Sequence, residues 1–164
     1  MLKLSTEAAV DGALARHATR PGPLLPVLHD VQDALGCIPP AAVGRIAQAL
    51  NLSRAEVHGV ITFYHHFRSE PAGRHVVSIC QAEACRSMGA EALTAHAEQT
   101  LDCKLPGTAA DGAITLEPTY CLGLCAMAPS VAIDDDVHAR LTPAKFDRLV
   151  AATRRSDVAG QETP

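Results

Sequence analysis

Four of the six cysteines fall into two tight pairs, Cys80-x4-Cys85 and Cys121-x3-Cys125, with 35 residues between the pairs. A chain that uses such a quartet must bring both pairs to one place, on loops held by a rigid scaffold. Four thiolates match a soft metal centre, and the split into pairs fits a 2Fe–2S cluster, one pair gripping each iron. Gly123, with no Cβ, suits a chain that wraps such a centre. Backbone N–H groups of these loops can point at the sulfurs, and Pro129 stiffens the exit from the second pair.

Zinc is the first rival, because structural zinc sites also use short Cys pairs. Their usual form is C-x2-C, so the x4 and x3 spacings favour the cluster while leaving zinc open. A thioredoxin-type redox pair needs C-x-x-C, which is absent. A Rieske centre needs two histidine ligands, and no His lies in or beside either pair. Cys37 and Cys103 each stand alone and read as small buried hydrophobes. His65 and His66 are helix neighbours that point apart, with His58 one face away, so they suit a surface or interface better than a chelate. Asp134-Asp135-Asp136 reads as a hairpin turn with solvated carboxylates. Neither G-x-G-x-x-G nor a P-loop occurs, so no nucleotide is signalled, and no catalytic residue is singled out.

The rest of the chain reads as a soluble domain or two. Its 164 residues suffice for a real core, and 14 Lys plus Arg against 18 Asp plus Glu leave a formal charge of −4 with no basic run. Nucleic acid is therefore not an expected partner. No segment approaches bilayer-crossing length, and the N-terminus lacks a secretory pattern. Cysteine pairs without a secretory context suit a reducing compartment, so the expected location is cytoplasmic, with no direct membrane insertion.

Residues 1–22 are Ala-rich and poorly patterned. Residues 23–70 read as a helical domain. Leu24, Leu25, Leu28, Val31 and Leu35 recur at helical spacing before Gly36, and Val43, Ile46, Ala47 and Leu50 stripe a second helix. Ser53 and Glu56 form a capping box for a third. Pro71 and Gly73 punctuate the chain, and residues 71–153 change pattern. There a β-prone run ends at Cys80, residues 84–101 read as one helix, and 107–112 as a loop. Short strands follow at 113–116, 131–134 and 137–141, then a last helix opens at Thr142-Pro143. Residues 154–164 read as a polar tail. The order predicts an α+β chain, an N-terminal helical bundle followed by a thioredoxin-like layer with cysteines at strand ends.

Cys80-x4-Cys85 together with Cys121-Leu-Gly-Leu-Cys125-Ala-Met-Ala-Pro129 resembles the thioredoxin-like 2Fe–2S ferredoxin family, which includes the small iron–sulfur subunit of the NADH-oxidising arm of respiratory complex I. The likeness runs upstream through Leu52-Ser53-Arg54-Ala55-Glu56-Val57-His58-Gly59-Val60 and Thr62-Phe63-Tyr64, covering about residues 24–153. Ile38-Pro39-Pro40, Tyr64-His65-His66-Phe67-Arg68, Gln81-Ala82-Glu83-Ala84 and Leu116-Glu117-Pro118-Thr119-Tyr120 are most similar to gamma subunits of soluble NAD-dependent formate dehydrogenases.

The resemblance implies that 71–153 form a 2Fe–2S ferredoxin domain with Cys80, Cys85, Cys121 and Cys125 as ligands. It implies an electron-transfer subunit packed on an FMN- and NAD-binding beta subunit. A large alpha subunit would oxidise formate at a molybdenum or tungsten pterin cofactor, linked to the flavin by further iron–sulfur clusters. The equivalent subunit of complex I or of an NAD-linked hydrogenase is the alternative. A zinc-stapled, non-redox interaction module is the reading from another class.

Overall fold

The computed structural model describes residues 5–161; residues 1–4 of the N-terminal segment and 162–164 of the tail lie outside the described residues. The chain divides into two compact units, Met1–Pro71 and Ala72–Pro164.

The first unit is helical. Helix α1 (Thr6–Arg16) begins at Ser5, whose hydroxyl accepts the Ala8 N–H at 3.2 Å. The poorly patterned stretch 1–22 thus carries a helix that the sequence reading did not assign. Its apolar stripe is short, since only Ala9, Val10 and Ala13 are buried, and two of these are alanines. Neighbours supply the rest of its hold: Arg45 donates to Asp11 from two nitrogens at 2.7 and 2.6 Å, and Arg16 and His17 both reach Asp30.

Helix α2 (Leu24–Leu35) stops at Gly36, which takes φ +78 and returns its N–H to the Gln32 carbonyl. Helix α3 (Pro40–Ala49) opens with proline, whose fixed φ and missing N–H suit a first turn. Helix α4 (Arg54–Phe63) has the expected capping box: Ser53 Oγ accepts the Glu56 N–H at 3.1 Å, and the Glu56 carboxylate accepts the Ser53 N–H at 2.8 Å. Val10, Val27, Leu28, Val31, Ile38, Ile46 and Val57 form the buried centre, each contributing roughly 1.5–3 kcal/mol on burial. The buried Gln32 amide donates to the His66 carbonyl and accepts the Arg68 N–H, both at 2.8 Å, which ties the segment after α4 down onto α2.

The second unit is a mixed five-stranded sheet with helices. Its elements are β1 (His75–Cys80), α5 (Glu83–Ser87), α6 (Ala90–Leu101), β2 (Gly107–Thr108), β3 (Ile114–Thr119), a 3-10 turn (Cys125–Met127), β4 (Val131–Ile133), β5 (Asp136–His138) and α7 (Pro143–Gln161). The strand order is β2-β3-β1-β4-β5; β1 and β3 are parallel and every other pair is antiparallel. A parallel pair needs a crossover, which α5 and α6 provide. Val77 and Ile79 of β1, Ile114 and Leu116 of β3, and Val131 and Ile133 of β4 pack with Leu93, Ala97 and Leu101 of α6 and Phe146 and Val150 of α7.

Several details differ from the sequence reading. The single helix expected over 84–101 is two, broken at Gly89 with φ +94. The loop expected at 107–112 begins with the two residues of β2. The hairpin turns at Asp134 and Asp135, within the acidic run expected to turn, so the strands expected at 131–134 and 137–141 are Val131–Ile133 and Asp136–His138, and Asp134 takes φ +52. The last helix continues past residue 153 to Gln161, into the stretch read as a polar tail.

Candidate metal centre

Parallel pairing of β1 with β3 gathers the cysteines. Cys80 is the last residue of β1 and stands opposite Thr119, so the loops leaving both strands emerge at one end of the sheet. Cys85 follows on α5, Cys121 lies two residues beyond β3, and Cys125 opens the 3-10 turn. All six cysteines are free thiols. Cys37 and Cys103 stay out of this cluster: Cys37 is buried in the helical unit, and Cys103 packs against the sheet core. Burial pushes both thiols up, aided by Glu70 at Cys37 and chiefly by Glu98 at Cys103.

The four thiols come as two pairs with different surroundings. Cys80 and Cys85 are each 2 % exposed and sit in a small apolar nest with Ala90, flanked by Ala82, Leu122 and Ala128. Cys121 and Cys125 are exposed, with their sulfurs 3.6 Å apart. Two thiolates on one tetrahedral metal at about 2.3 Å stand roughly 3.8 Å apart, so this pair is spaced to share a metal.

The backbone is arranged for negative sulfur. Burial pushes the Cys80 thiol up, but N–H groups of Ala82, Cys121 and Leu122, with the Cys85 side chain, outweigh it and hold the thiol below its ordinary value. The Gly123 N–H donates to Cys121 Sγ at 3.4 Å. Successive N–H groups from Cys121 to Gly123 thus form an anion-holding turn. The turn needs left-handed backbone: Cys121 has φ +94 and Gly123 φ +77. Strained φ at a non-glycine residue costs about 1–3 kcal/mol and concentrates at functional sites.

The opposite shift occurs at Cys125, pushed up first by the hydrogen bond shared with Cys121, then by its charge, and also by Cys85 and Cys80. Charge on neighbouring sulfurs is mutually repulsive, and a cationic centre held between them would remove the conflict. The donor set therefore fits a thiolate-held metal group.

Other sequence candidates lie elsewhere. His65 and His66 are exposed in the helical unit, where the His66 ring lies 5.1 Å from that of His29 and beside Phe67. Asp134 bonds to His75 Nδ1 at 2.6 Å and to the Val76 N–H at 2.9 Å, so its carboxylate ties the β4–β5 turn to the start of the central strand β1. Among the described residues no helix is long and apolar enough to cross a membrane.

Residues 10–154 match the family model for thioredoxin-like 2Fe-2S ferredoxins. The chain belongs to the thioredoxin-like 2Fe–2S ferredoxin family. Its cofactor is accordingly a 2Fe–2S cluster, and the family reading supersedes zinc. This ferredoxin is 36% identical to an NADH-quinone oxidoreductase subunit from Rhizobium meliloti, over 90% of this chain and 88% of the relative. It is 39% identical to an NADH-quinone oxidoreductase subunit from Escherichia coli, over 73% of this chain and 72% of the relative. Among solved structures, an NAD+-reducing NiFe-hydrogenase in the air-oxidized state superposes with a TM-score of 0.68 at 25% identity. The match covers 91% of this ferredoxin but only 25% of the hydrogenase chain. The chain is thus an iron–sulfur ferredoxin whose relatives include named oxidoreductase subunits.

Sequence spacing could not find Ser130, Ala82 or Leu122. Ser130 sits beside the quartet because β4 returns antiparallel to β1, and the other two act through N–H groups that every non-proline residue possesses.

Proposed function

We propose that Cys80, Cys85, Cys121 and Cys125 hold the 2Fe–2S cluster, and that the chain serves as the electron-transfer subunit of a cytoplasmic NAD-dependent formate dehydrogenase. The observation that carries the ligand assignment is the gathering of two thiol pairs at one end of the parallel β1–β3 pair, with backbone N–H groups aimed at their sulfurs.

A 2Fe–2S cluster supplies reversible one-electron acceptance, the unit a flavin needs when it passes a two-electron hydride to NAD+. The residues around it divide the work. Cys80 and Cys85 fix the buried side, and Leu122, Ala82 and Ala128 keep water from it. Cys121 and Cys125 lie at the surface, where Tyr120, Met88 and Met127 are also exposed. Those aromatic and Met side chains suit contact with an FMN- and NAD-binding beta subunit, since interfaces are enriched in them. The formate assignment rests on the wording of Ile38-Pro39-Pro40, Tyr64 to Arg68, Gln81 to Ala84 and Leu116 to Tyr120. It implies a large formate-oxidising alpha subunit with a molybdenum or tungsten pterin cofactor and further iron–sulfur clusters.

The names of its relatives favour a second reading, the equivalent subunit of an NADH-quinone oxidoreductase or an NAD+-reducing hydrogenase. Purifying the native assembly anaerobically through a tag on this chain separates the two. Formate-dependent NAD+ reduction is the expected result; quinone reduction by NADH, or NAD+ reduction by hydrogen, without formate activity overturns it. On the isolated chain, two irons, two sulfides and an S = 1/2 signal after dithionite are expected, whereas one zinc and no sulfide would remove the cluster assignment.

A further inference from the structure

Ser130 is the buried polar side chain nearest the metal centre that no spacing rule selects. It lies between Pro129 and β4, is 1 % exposed, and places its hydroxyl 3.5 Å from Cys85 Sγ. Its position is tightly set, because its carbonyl accepts the Cys80 N–H at 3.1 Å as β4 meets β1. A buried hydroxyl is kept only with a hydrogen-bond partner, and the partner here is a sulfur. A thiolate ligand has no S–H, so once Cys85 holds iron the only proton available to this contact is that of the Ser130 hydroxyl. The direction of the bond then follows: the serine donates and the ligand sulfur accepts.

We propose that Ser130 is a positioning residue that sets the cluster's reduction potential by donating a hydrogen bond to the Cys85 sulfur. This rests on the assignment of Cys85 as a ligand. Reduction adds an electron, and part of that charge falls on the ligand sulfurs. A donor bond to sulfur is therefore stronger in the reduced state and raises the potential. The contact lies on the buried side of the centre, where water does not compete and a low dielectric magnifies each fixed dipole. Cys121 and Cys125, being exposed, exchange such bonds with solvent, so a deletion at Ser130 has no ready replacement.

The test is an EPR-monitored redox titration of the full chain, wild type against Ser130→Ala, with iron and sulfide counted in each sample. The expected result is an intact cluster whose reduction equilibrium against a fixed mediator falls about tenfold, which for one electron is about 59 mV to lower potential. Ser130→Thr and Ser130→Val differ chiefly in the hydroxyl, and decide the matter if Ala fails to hold the cluster. Thr keeps the wild-type potential and Val lowers it. Resonance Raman gives a second readout, with Fe–S(Cys) stretching bands shifted in Val and unshifted in Thr. Equal potentials and bands across these variants, with two irons and two sulfides present, overturn the role of Ser130 and leave the ligand assignment standing. Absence of iron and sulfide from the wild type itself is the different result that removes the assignment.

Discussion

Gly36 and Gly123 provide a matched pair of perturbations. Both hold left-handed backbone, φ +78 and φ +77, and an added Cβ meets nothing within 4 Å at either position. A Gly→Ala change at each therefore introduces no clash, and its cost is the left-handed conformation alone, about 1–2 kcal/mol for an L residue. Gly36 ends α2 in the helical unit, whereas Gly123 shapes the turn whose N–H groups face the Cys80 and Cys121 sulfurs. The same cost must then appear in different observables. Gly123→Ala is expected to weaken cluster retention by roughly 5–30-fold, read as the chelator concentration that removes half the iron under anaerobic conditions. Gly36→Ala is expected to leave that value unchanged and to lower the urea midpoint of the helical unit instead. Gly123→Asn should fall between glycine and alanine, because asparagine tolerates the left-handed region. Equal cluster retention in Gly123→Ala and wild type would refute the claim that this turn's geometry holds the centre. So would equal loss in Gly36→Ala.

Other consequences are local and separable. Gln32→Ala leaves the His66 carbonyl and Arg68 N–H without their partner, an expected loss of about 2 kcal/mol, seen as a lower urea midpoint at unchanged slope. The Arg16 hydrogen bond at 2.7 Å chiefly holds the Asp30 carboxyl below the usual range; burial opposes it, and His17 adds to the lowering. A depressed carboxylate stabilises the fold fully above its unfolded value near 3.9, and that share vanishes as pH falls through the folded value. Asp30→Asn should thus show a shallower loss of helical-unit stability below about pH 4 than wild type in acid titrations by circular dichroism; parallel acid limbs would contradict this. On the proposed ligand set, removal of the cluster takes away the centre that would organise four thiols. Amide exchange should then quicken in residues 81–89 and 121–129 while α6 stays protected, and unchanged exchange in those loops would oppose the ligand assignment.

Features set by neighbouring residues were legible in the sequence. The Ser53–Glu56 capping box appears because both partners lie within one turn, and the Leu28–Val31 stripe faces the core its spacing implied. Features set by distant partners were not. The two residues of β2 form a strand only because β3 offers them an edge. Helix α1 has too few large apolar side chains to declare itself, and acquires its hold from Arg45 and Asp30, far along the chain. The break at Gly89 sits in a run whose composition favours helix on both sides. The same divide runs through the metal centre. Cysteine spacing names four thiols, but which are buried, and which backbone N–H groups face them, depends on strand order.

Strand register, finally, ties the metal centre to the hydrophobic core. Side chains alternate along β1, so Val77 and Ile79 enter the core between sheet and helices while Cys80 falls on the opposite face. A slip of one residue against β3 would send Cys80 into that core and expel Ile79, because the side-chain period of a strand is two. Val77 and Ile79 of β1 and Ile114 and Leu116 of β3 are fully buried, and burying each is worth roughly 1.5–3 kcal/mol, so the slipped register is strongly disfavoured. Cys80 is thereby held opposite Thr119, two residues short of Cys121, and the reach between the two thiol pairs follows from core packing rather than from the loops alone. The loops can then carry strained backbone at Cys121 and open backbone at Gly123, because the sheet beneath them fixes where both begin.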